Sequence, residues 1–322
     1  MNIIRLTEPN TPLNDADHVG SFNFKEKCQM GDMKQHQPPL TIEEQIENLK
    51  SIGLVIKDEE YAQRILNDIS YFRLIKAYSI NLKTENGIYK EDVTFEQIVE
   101  LYLFNSNFRQ LIFPEIEKIE INVRCRISNY FAETYGVLGY LEAENFVNFK
   151  YHKSFLNDVE EEIRRNSKAP FVRNFRENYE EGQLPIYALV EIFSFGTLSK
   201  FYKNMKNPDK KAVAKMFDIG YTYLESWLES VSYVRNICAH YGRLYNAKLA
   251  KTPKLYKEYS EAGIGNNRIF GVLICIKQIL KNDIHWNDFV ENIELLFKRY
   301  KKVEFKTMGF PENWRELLEV KN

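Results

Sequence analysis

The chain has 322 residues, 44% hydrophobic and 28% charged, enough for a sizeable core in one large or two smaller domains. Lys and Arg number 44 against 45 Asp and Glu, a formal net charge of −1, which excludes global attraction to nucleic acid and leaves such binding to local basic patches. Aromatics reach 14% while Gly and Pro number only 14 and 10, a composition suited to long helices with few turns. The four cysteines, Cys28, Cys125, Cys238 and Cys275, stand far apart with no Cys-x2-Cys pair and no histidine at metal spacing. They read as reduced thiols, three of them packed on helices, and no metal or cofactor is expected. No basic-then-apolar leader opens the chain, and the longest apolar run, 269 to 276, is too short to cross a bilayer. A soluble, cytoplasmic protein without a membrane partner is expected.

Residues 1 to 37 are polar and aperiodic and predict an irregular extension. After Pro38 and Pro39, Thr41 caps a helix with Glu44 as the capping-box acid; Ile42, Ile46, Leu49 and Ile52 form its apolar face and Gly53 ends it. A second helix starts near Asp58 and carries Ala62, Ile65, Leu66 and Ile69. The aromatic stretch from 70 to 82 includes Arg73 and Lys76. Such a mixture stacks on bases in some proteins and forms core with snorkelling cations in others.

Asn86-Gly87 is a turn, and from Thr94, with Gln97 behind it, a long helix is predicted to about 135, with a kink at Pro114. Ile116, Ile119, Val123, Ile127, Tyr130 and Phe131 mark its buried stripe. Glu120 and Arg124 lie four apart at the stripe's edge, in the order that favours an ion pair worth a few tenths of a kcal/mol. Residues 140 to 183 are highly charged, with Glu160, Glu161 and Glu162 followed by Arg164, Arg165, Lys168, Arg173 and Arg176; the pattern fits a solvated helix face or a phosphate-tracking surface. Leu184-Pro185 opens a helix through Ala188, Leu189, Ile192 and Phe193, with Glu191 as a candidate buried partner for an arginine. Lys200, Lys203, Lys206, Lys210, Lys211 and Lys215 form the densest unbalanced basic stretch. With Lys298, Arg299, Lys301 and Lys302 it is the preferred contact region for an RNA backbone. Residues 269 to 280 read as a buried helix and 288 to 302 as an amphipathic one, with strand-like pieces only at 54 to 56 and around 303 to 305.

Between these helices, Leu224, Trp227, Leu228, Val231, Val234 and Cys238 keep the spacing of one buried helical face, and Gly242 supplies the stop signal. Arg235 and His240 fall in the last turns, in the form Arg-x4-His, with Asn236 after the arginine. Five residues turn an ideal helix by about 140°, so the two side chains do not share one face of a straight helix. They reach one cleft if the helix ends or bends near His240, or if two copies meet on a two-fold axis. The plainer reading is a core histidine at a helix C-terminus beside an arginine that bonds the last carbonyls.

The run Arg235-Asn236-Ile237-Cys238-Ala239-His240-Tyr241-Gly242-Arg243-Leu244-Tyr245-Asn246 resembles the signature segment of the AbiD/AbiF abortive-infection family, bacterial phage-defence proteins of the HEPN superfamily. Further matches come in order: Pro38-Pro39-Leu40-Thr41 with Gln45 and Leu49, Ser70-Tyr71-Phe72-Arg73-Leu74 with Tyr78, and Ile119-Glu120 with Arg124. Leu184-Pro185-Ile186-Tyr187 with Glu191, Phe195-Gly196-Thr197-Leu198-Ser199, and Met308-Gly309-Phe310-Pro311-Glu312-Asn313-Trp314 follow.

The resemblance implies an all-α protein: a HEPN-like helical bundle over 95 to 322, preceded by a small helical cap over 38 to 94 that can share its core. It implies a metal-independent endoribonuclease in which Arg235 holds phosphate, His240 transfers protons and Asn236 orients either one. Glu120 and Arg124 would help orient that site, on a helix packed beside the one carrying Arg235. A homodimer with a composite site is common in that superfamily. Two alternatives stay open: a non-catalytic protein that forms a ribonucleoprotein with a structured noncoding RNA, and a toxin held by an antitoxin. No phosphate-binding glycine loop, Gly-x-Ser-x-Gly elbow or His-Glu-x-x-His motif is present, so an enzyme here rests on Arg235 and His240.

Overall fold

Thr41 opens the first helix, α1 (Ile42–Ser51), through a complete capping box: Glu44 N–H donates to Thr41 Oγ1 at 3.2 Å and Thr41 N–H to Glu44 Oε2 at 2.8 Å. Asp58 caps α2 (Glu59–Asp68) by accepting from Tyr61 N–H at 2.8 Å. The computed structural model describes residues 38–320; the extension expected over 1 to 37 lies outside the described residues. From Leu40 onward the chain forms one unit, and buried residues on α1 and α2 belong to the same hydrophobic core as those after residue 95.

Residues Phe72–Lys76 wind as a π-helical turn, burying Leu74 and Ile75 and leaving Phe72 78% exposed. The aromatic stretch is therefore split, with Tyr78 in the core and Phe72 in solvent. Thr94 then caps α3 (Phe95–Tyr135), 41 residues or about 60 Å at 1.5 Å per residue. Helical geometry continues through Pro114, so the expected kink does not end or divide the helix. Having no N–H, Pro114 leaves the Gln110 carbonyl without its usual donor. The α3 helix is the axis of the fold: Phe104, Phe108, Ile112, Ile116, Ile119, Val123, Ile127 and Phe131 are all fully buried along it.

The remaining elements pack around that axis. The charged region forms α4 (Phe149–Arg165) and α5 (Pro170–Asn178). A single turn, α6 (Ile186–Leu189), runs into a 3-10 turn Val190–Ile192; Ser194 then caps α7 (Phe195–Asn204), which α8 (Asn207–Lys215) follows. The signature helix is α9 (Tyr221–Ala239), and α10 (Lys257–Glu261) is one short turn. Buried on nearly every side, α11 (Ile269–Ile279) precedes α12 (Trp286–Arg299) and α13 (Trp314–Leu318). Helices α6, α9, α11 and α12 all pack on α3, and α7 and α11 pack on α9. Among the described residues there is no strand: Val55 makes one isolated bridge to Thr94, and Phe305–Met308 is a 3-10 turn where a strand-like piece was expected. No single helix among them is long and apolar enough to cross a membrane.

Candidate functional site

The end of α9 is built as a tight reversal. Leu224, Trp227, Leu228, Val231, Val234 and Cys238 are buried as their spacing predicts, at roughly 1.5–3 kcal/mol for each large side chain. His240 is the C-cap, and Gly242 N–H donates back to Ile237 O at 2.7 Å while Tyr241 N–H donates to Cys238 O at 3.3 Å. This pair of bonds is the Schellman pattern, in which the residue after the cap takes the left-handed conformation. Here that residue is Tyr241, at φ 59°, and not the glycine. Gly242 is required for a different reason: a Cβ there would stand 2.8 Å from Ile237 Cγ2 and 3.1 Å from Ile237 O.

Three side chains from elsewhere hold this reversal. Arg73, presented by the π-helical turn, donates to Tyr241 O at 3.1 Å. Asn105 and Arg109, one turn apart on α3, both donate to Gly242 O, at 3.2 and 3.0 Å. Asn105 Oδ1 also accepts from Leu244 and Tyr245 N–H at 2.8 and 2.9 Å. Neither Asn105 nor Arg109 stood out in the sequence. The available signal was a polar pair set among Phe104, Phe108 and Ile112 on a face that is otherwise apolar, and each such buried group needs a partner.

Arg235 lies one turn before the reversal, facing α3. Its Nε is buried and 3.4 Å from Glu120 Oε2, an ion pair without hydrogen-bond geometry, and its guanidinium carbon sits 5.8 Å from the centre of the Phe113 ring. Glu120 Oε1 is bonded by Arg124, which also donates to the carbonyls of Val190 and Phe193. One carboxylate thus stands between two guanidiniums, and α3 packs beside α9 at this point. Glu191 is a correction: expected as a buried partner for an arginine, it is exposed, and the backbone carbonyls of Val190 and Phe193 on either side of it are what reach Arg124. The turn from 190 to 193 aims carbonyls, not the acid, at α3.

His240 is exposed and Asn236 half-buried, its carbonyl accepting from His240 N–H at 3.0 Å. Among the described residues no hydrogen bond joins Arg235 to His240; the arginine is half-buried against α3 and the histidine is exposed. Between α3 and this reversal opens a cleft of 490 Å³, walled by Arg109, Gln110, Phe113 and Pro114 on one side and Cys238, Ala239 and Tyr241 on the other. Burial pushes the Cys238 thiol up to about 12, so it is a neutral wall and not a nucleophile. Cys275 is likewise buried, whereas Cys125, expected to be packed, is exposed on α3.

The lysine stretch divides by environment. Lys210 is buried, with Nζ 2.8 Å from Glu225 Oε2, and is a structural ion pair in place of the expected RNA contact. Lys203 pairs with Glu229 at 3.6 Å and Lys206 lies over the Tyr135 ring at 5.7 Å. Lys200 and Lys215 are exposed, as is Lys211, whose Nζ lies 5.7 Å from the Tyr221 ring centre. On α12, Lys298 pairs with Glu294 at 3.1 Å and Arg299 rests 5.5 Å from the Tyr300 ring centre. Among the described residues no three His, Cys, Asp or Glu side chains converge as metal ligands would.

An all-helical chain with a polar site at the broken end of a buried helix defines the class. A family model described as Abi-like protein matches residues 64–246, more than half of the chain, and the chain belongs to that abortive-infection family. The matched span contains α3, α9 and the whole reversal and ends at Asn246; Lys298 and Arg299 lie beyond it. No curated protein and no solved structure matches the chain.

Proposed function

We propose that this protein acts in phage defence as a metal-independent endoribonuclease of the HEPN type, with Arg235, His240 and Asn236 at its site. The observation that carries the reading is the end of α9: an arginine held by Glu120 against α3, and five residues later an exposed histidine on a turn fixed by Arg73, Asn105 and Arg109. RNA brings its own nucleophile. The 2′-oxygen attacks the adjacent phosphorus, the bond to the 5′-oxygen breaks, and the 2′-hydroxyl proton is removed while another is given to the leaving oxygen. The products are a 2′,3′-cyclic phosphate and a 5′-hydroxyl.

An exposed imidazole at the C-cap can take up or give one of those protons through its ring nitrogens. The Arg235 guanidinium presents its outer nitrogens to the phosphate while Glu120 steadies Nε. Asn236 supplies an amide beside the arginine. Because Arg235 and His240 are not bonded within one chain, a homodimer that brings each arginine to the partner's histidine is the assembly proposed for cleavage.

The test compares purified wild-type protein with Arg235→Ala and His240→Ala on cellular RNA, reading cyclic-phosphate ends. Both variants should keep the helical circular-dichroism spectrum and lose cleavage; unchanged cleavage in both removes the assignment. A second reading, RNA held without cleavage, is favoured by one observation: Glu120 already shares the Arg235 guanidinium, which suits a grip as well as a catalyst. Copurifying RNA with intact ends would select it.

A further inference from the structure

The geometry points to the cleft between α3 and the end of α9 as a nucleobase subsite, holding a base of the RNA whose phosphate Arg235 grips. This rests on the RNA reading above and adds to it where the base goes. The cleft's 490 Å³ lies within the range of small-ligand sites, roughly 300–1,000 Å³. Two aromatic rings, Phe113 from α3 and Tyr241 from the reversal, contribute to opposite walls, and Pro114 and Ala239 add apolar surface. Ser106 and Gln110 supply a hydroxyl and an amide, and Pro114 frees the Gln110 carbonyl from its helical bond. The one charged group in the wall, Arg109, is buried and donates to Gly242 O. A neutral, planar ligand with donors and acceptors on its edge fits these walls.

Two further observations bear on the occupant. Tyr241 is 68% exposed yet sits at φ 59°, a conformation that strains a bulky residue and that Gly, or Asn more readily than Tyr, adopts. Three side chains hold the turn there, so the strain is maintained while the ring stays available at the cleft mouth. The Arg235 guanidinium lies 5.8 Å from the Phe113 ring centre, so a phosphate on one and a base on the other are within a single nucleotide of each other. Stacking on such rings is tolerant of sequence, and the edge groups of Gln110 and Ser106 would set any preference.

The experiment uses the full chain and 2′-O-methyl tetranucleotides, which cannot be cleaved through the 2′-oxygen. One carries four adenines and the other is its abasic counterpart. Wild-type protein should bind the adenine form about tenfold tighter than the abasic one. Tyr241→Asn should bring the adenine form down to the abasic level and leave abasic binding unchanged; asparagine accepts the left-handed turn, so a fold defect is not the cause. Phe113→Leu also takes away the ring beside the Arg235 guanidinium, and should weaken the adenine form more than the abasic one. Arg235→Ala should weaken both ligands alike. Equal binding of the two ligands by a wild-type protein that cleaves RNA overturns the subsite and leaves the nuclease standing. Variants that bind the adenine form as tightly as wild type also overturn it. Failure to bind either ligand, together with no cleavage, removes both.

Discussion

Glu120 Oε2 lies 3.4 Å from Arg235 Nε, and the other oxygen of the same carboxylate is bonded by Arg124. The three side chains make a chain of charge in which only the last link is open. Arg124 is fastened by two backbone carbonyls as well as by Glu120, and it is 12% exposed. Arg235 has Glu120 and the face of Phe113, and it is 32% exposed. A fixed guanidinium thus backs a carboxylate that backs a partly solvated one, an order suited to presenting Arg235 outward.

Replacing Glu120 with glutamine keeps the shape and removes the charge. Arg124 retains two carbonyl acceptors, so the larger loss falls on Arg235, left beside an apolar ring without its counter-ion. Breaking a fully buried pair costs about 3–5 kcal/mol; with Arg235 partly solvated, about 1–3 kcal/mol is expected. Urea unfolding should show it, and RNA cleavage should fall by a factor of about 10–100 because the phosphate ligand is misplaced. Unchanged stability and cleavage would mean that Glu120 orients nothing.

Tyr241 and Gly242 predict opposite outcomes from neighbouring substitutions. Tyr241→Gly removes left-handed strain at a cost in unfolded-chain entropy, a net gain of up to about 1 kcal/mol. Gly242→Ala forces a Cβ into Ile237 and should cost about 1–3 kcal/mol. Differential scanning calorimetry on the two variants checks the sign of each. A stabilised Tyr241→Gly protein with weakened RNA binding would show that the strain is kept for the ring.

Much of this architecture is readable from local pattern, and the site is less so. Thr41 with Glu44 and Thr94 with Gln97 mark helix starts because capping is a short-range hydrogen-bond problem. The buried face of α9 follows from its spacing alone. What α9 ends against does not: Asn105 and Arg109 meet Gly242 from more than 130 positions away, and no local rule couples them. Glu191 misled for the same reason. It is the only acid in an apolar run, yet the 3-10 turn from 190 to 192 points it outward and turns the carbonyls of Val190 and Phe193 inward. Gly242 did mark the helix stop, but as a close-approach residue, with the positive φ displaced to its neighbour.

Alkaline pH should unfold the protein through groups that the core holds protonated. Burial raises Cys238 from an ordinary 9.0, and Tyr78, Tyr89 and Tyr140 from 10.0, in each case to about 12. A folded-state pKa above the unfolded one means that this contribution is complete below about pH 9 and is lost as pH rises toward about 12. Each group steepens the decline by up to about 1.4 kcal/mol per pH unit. Urea midpoints measured from about pH 8 to about pH 11 should fall progressively, and Cys238→Ala should flatten the part that begins near pH 9. A midpoint independent of pH across that range would show that these groups titrate alike in both states.

The basic stretch over α7 and α8 gives a prediction in which neighbouring lysines behave differently. Lys210 is buried against Glu225 and donates to Lys203 O at 3.3 Å, so Lys210→Ala leaves an acid without its counter-ion and should lower stability by about 2–3 kcal/mol. Its ammonium faces inward and has no phosphate to reach. Lys200 and Lys211 are exposed, and neither forms an ion pair among the described residues. If this face tracks an RNA backbone, the Lys200→Ala, Lys211→Ala double variant should unfold as wild type does and bind single-stranded RNA more weakly. The slope of log affinity against log salt should flatten by about 0.7 for each contact removed. A salt slope unchanged in the double variant would clear these two lysines of any part in binding, and the contacts would then have to be sought on the α9 side, around Arg235 and Arg73.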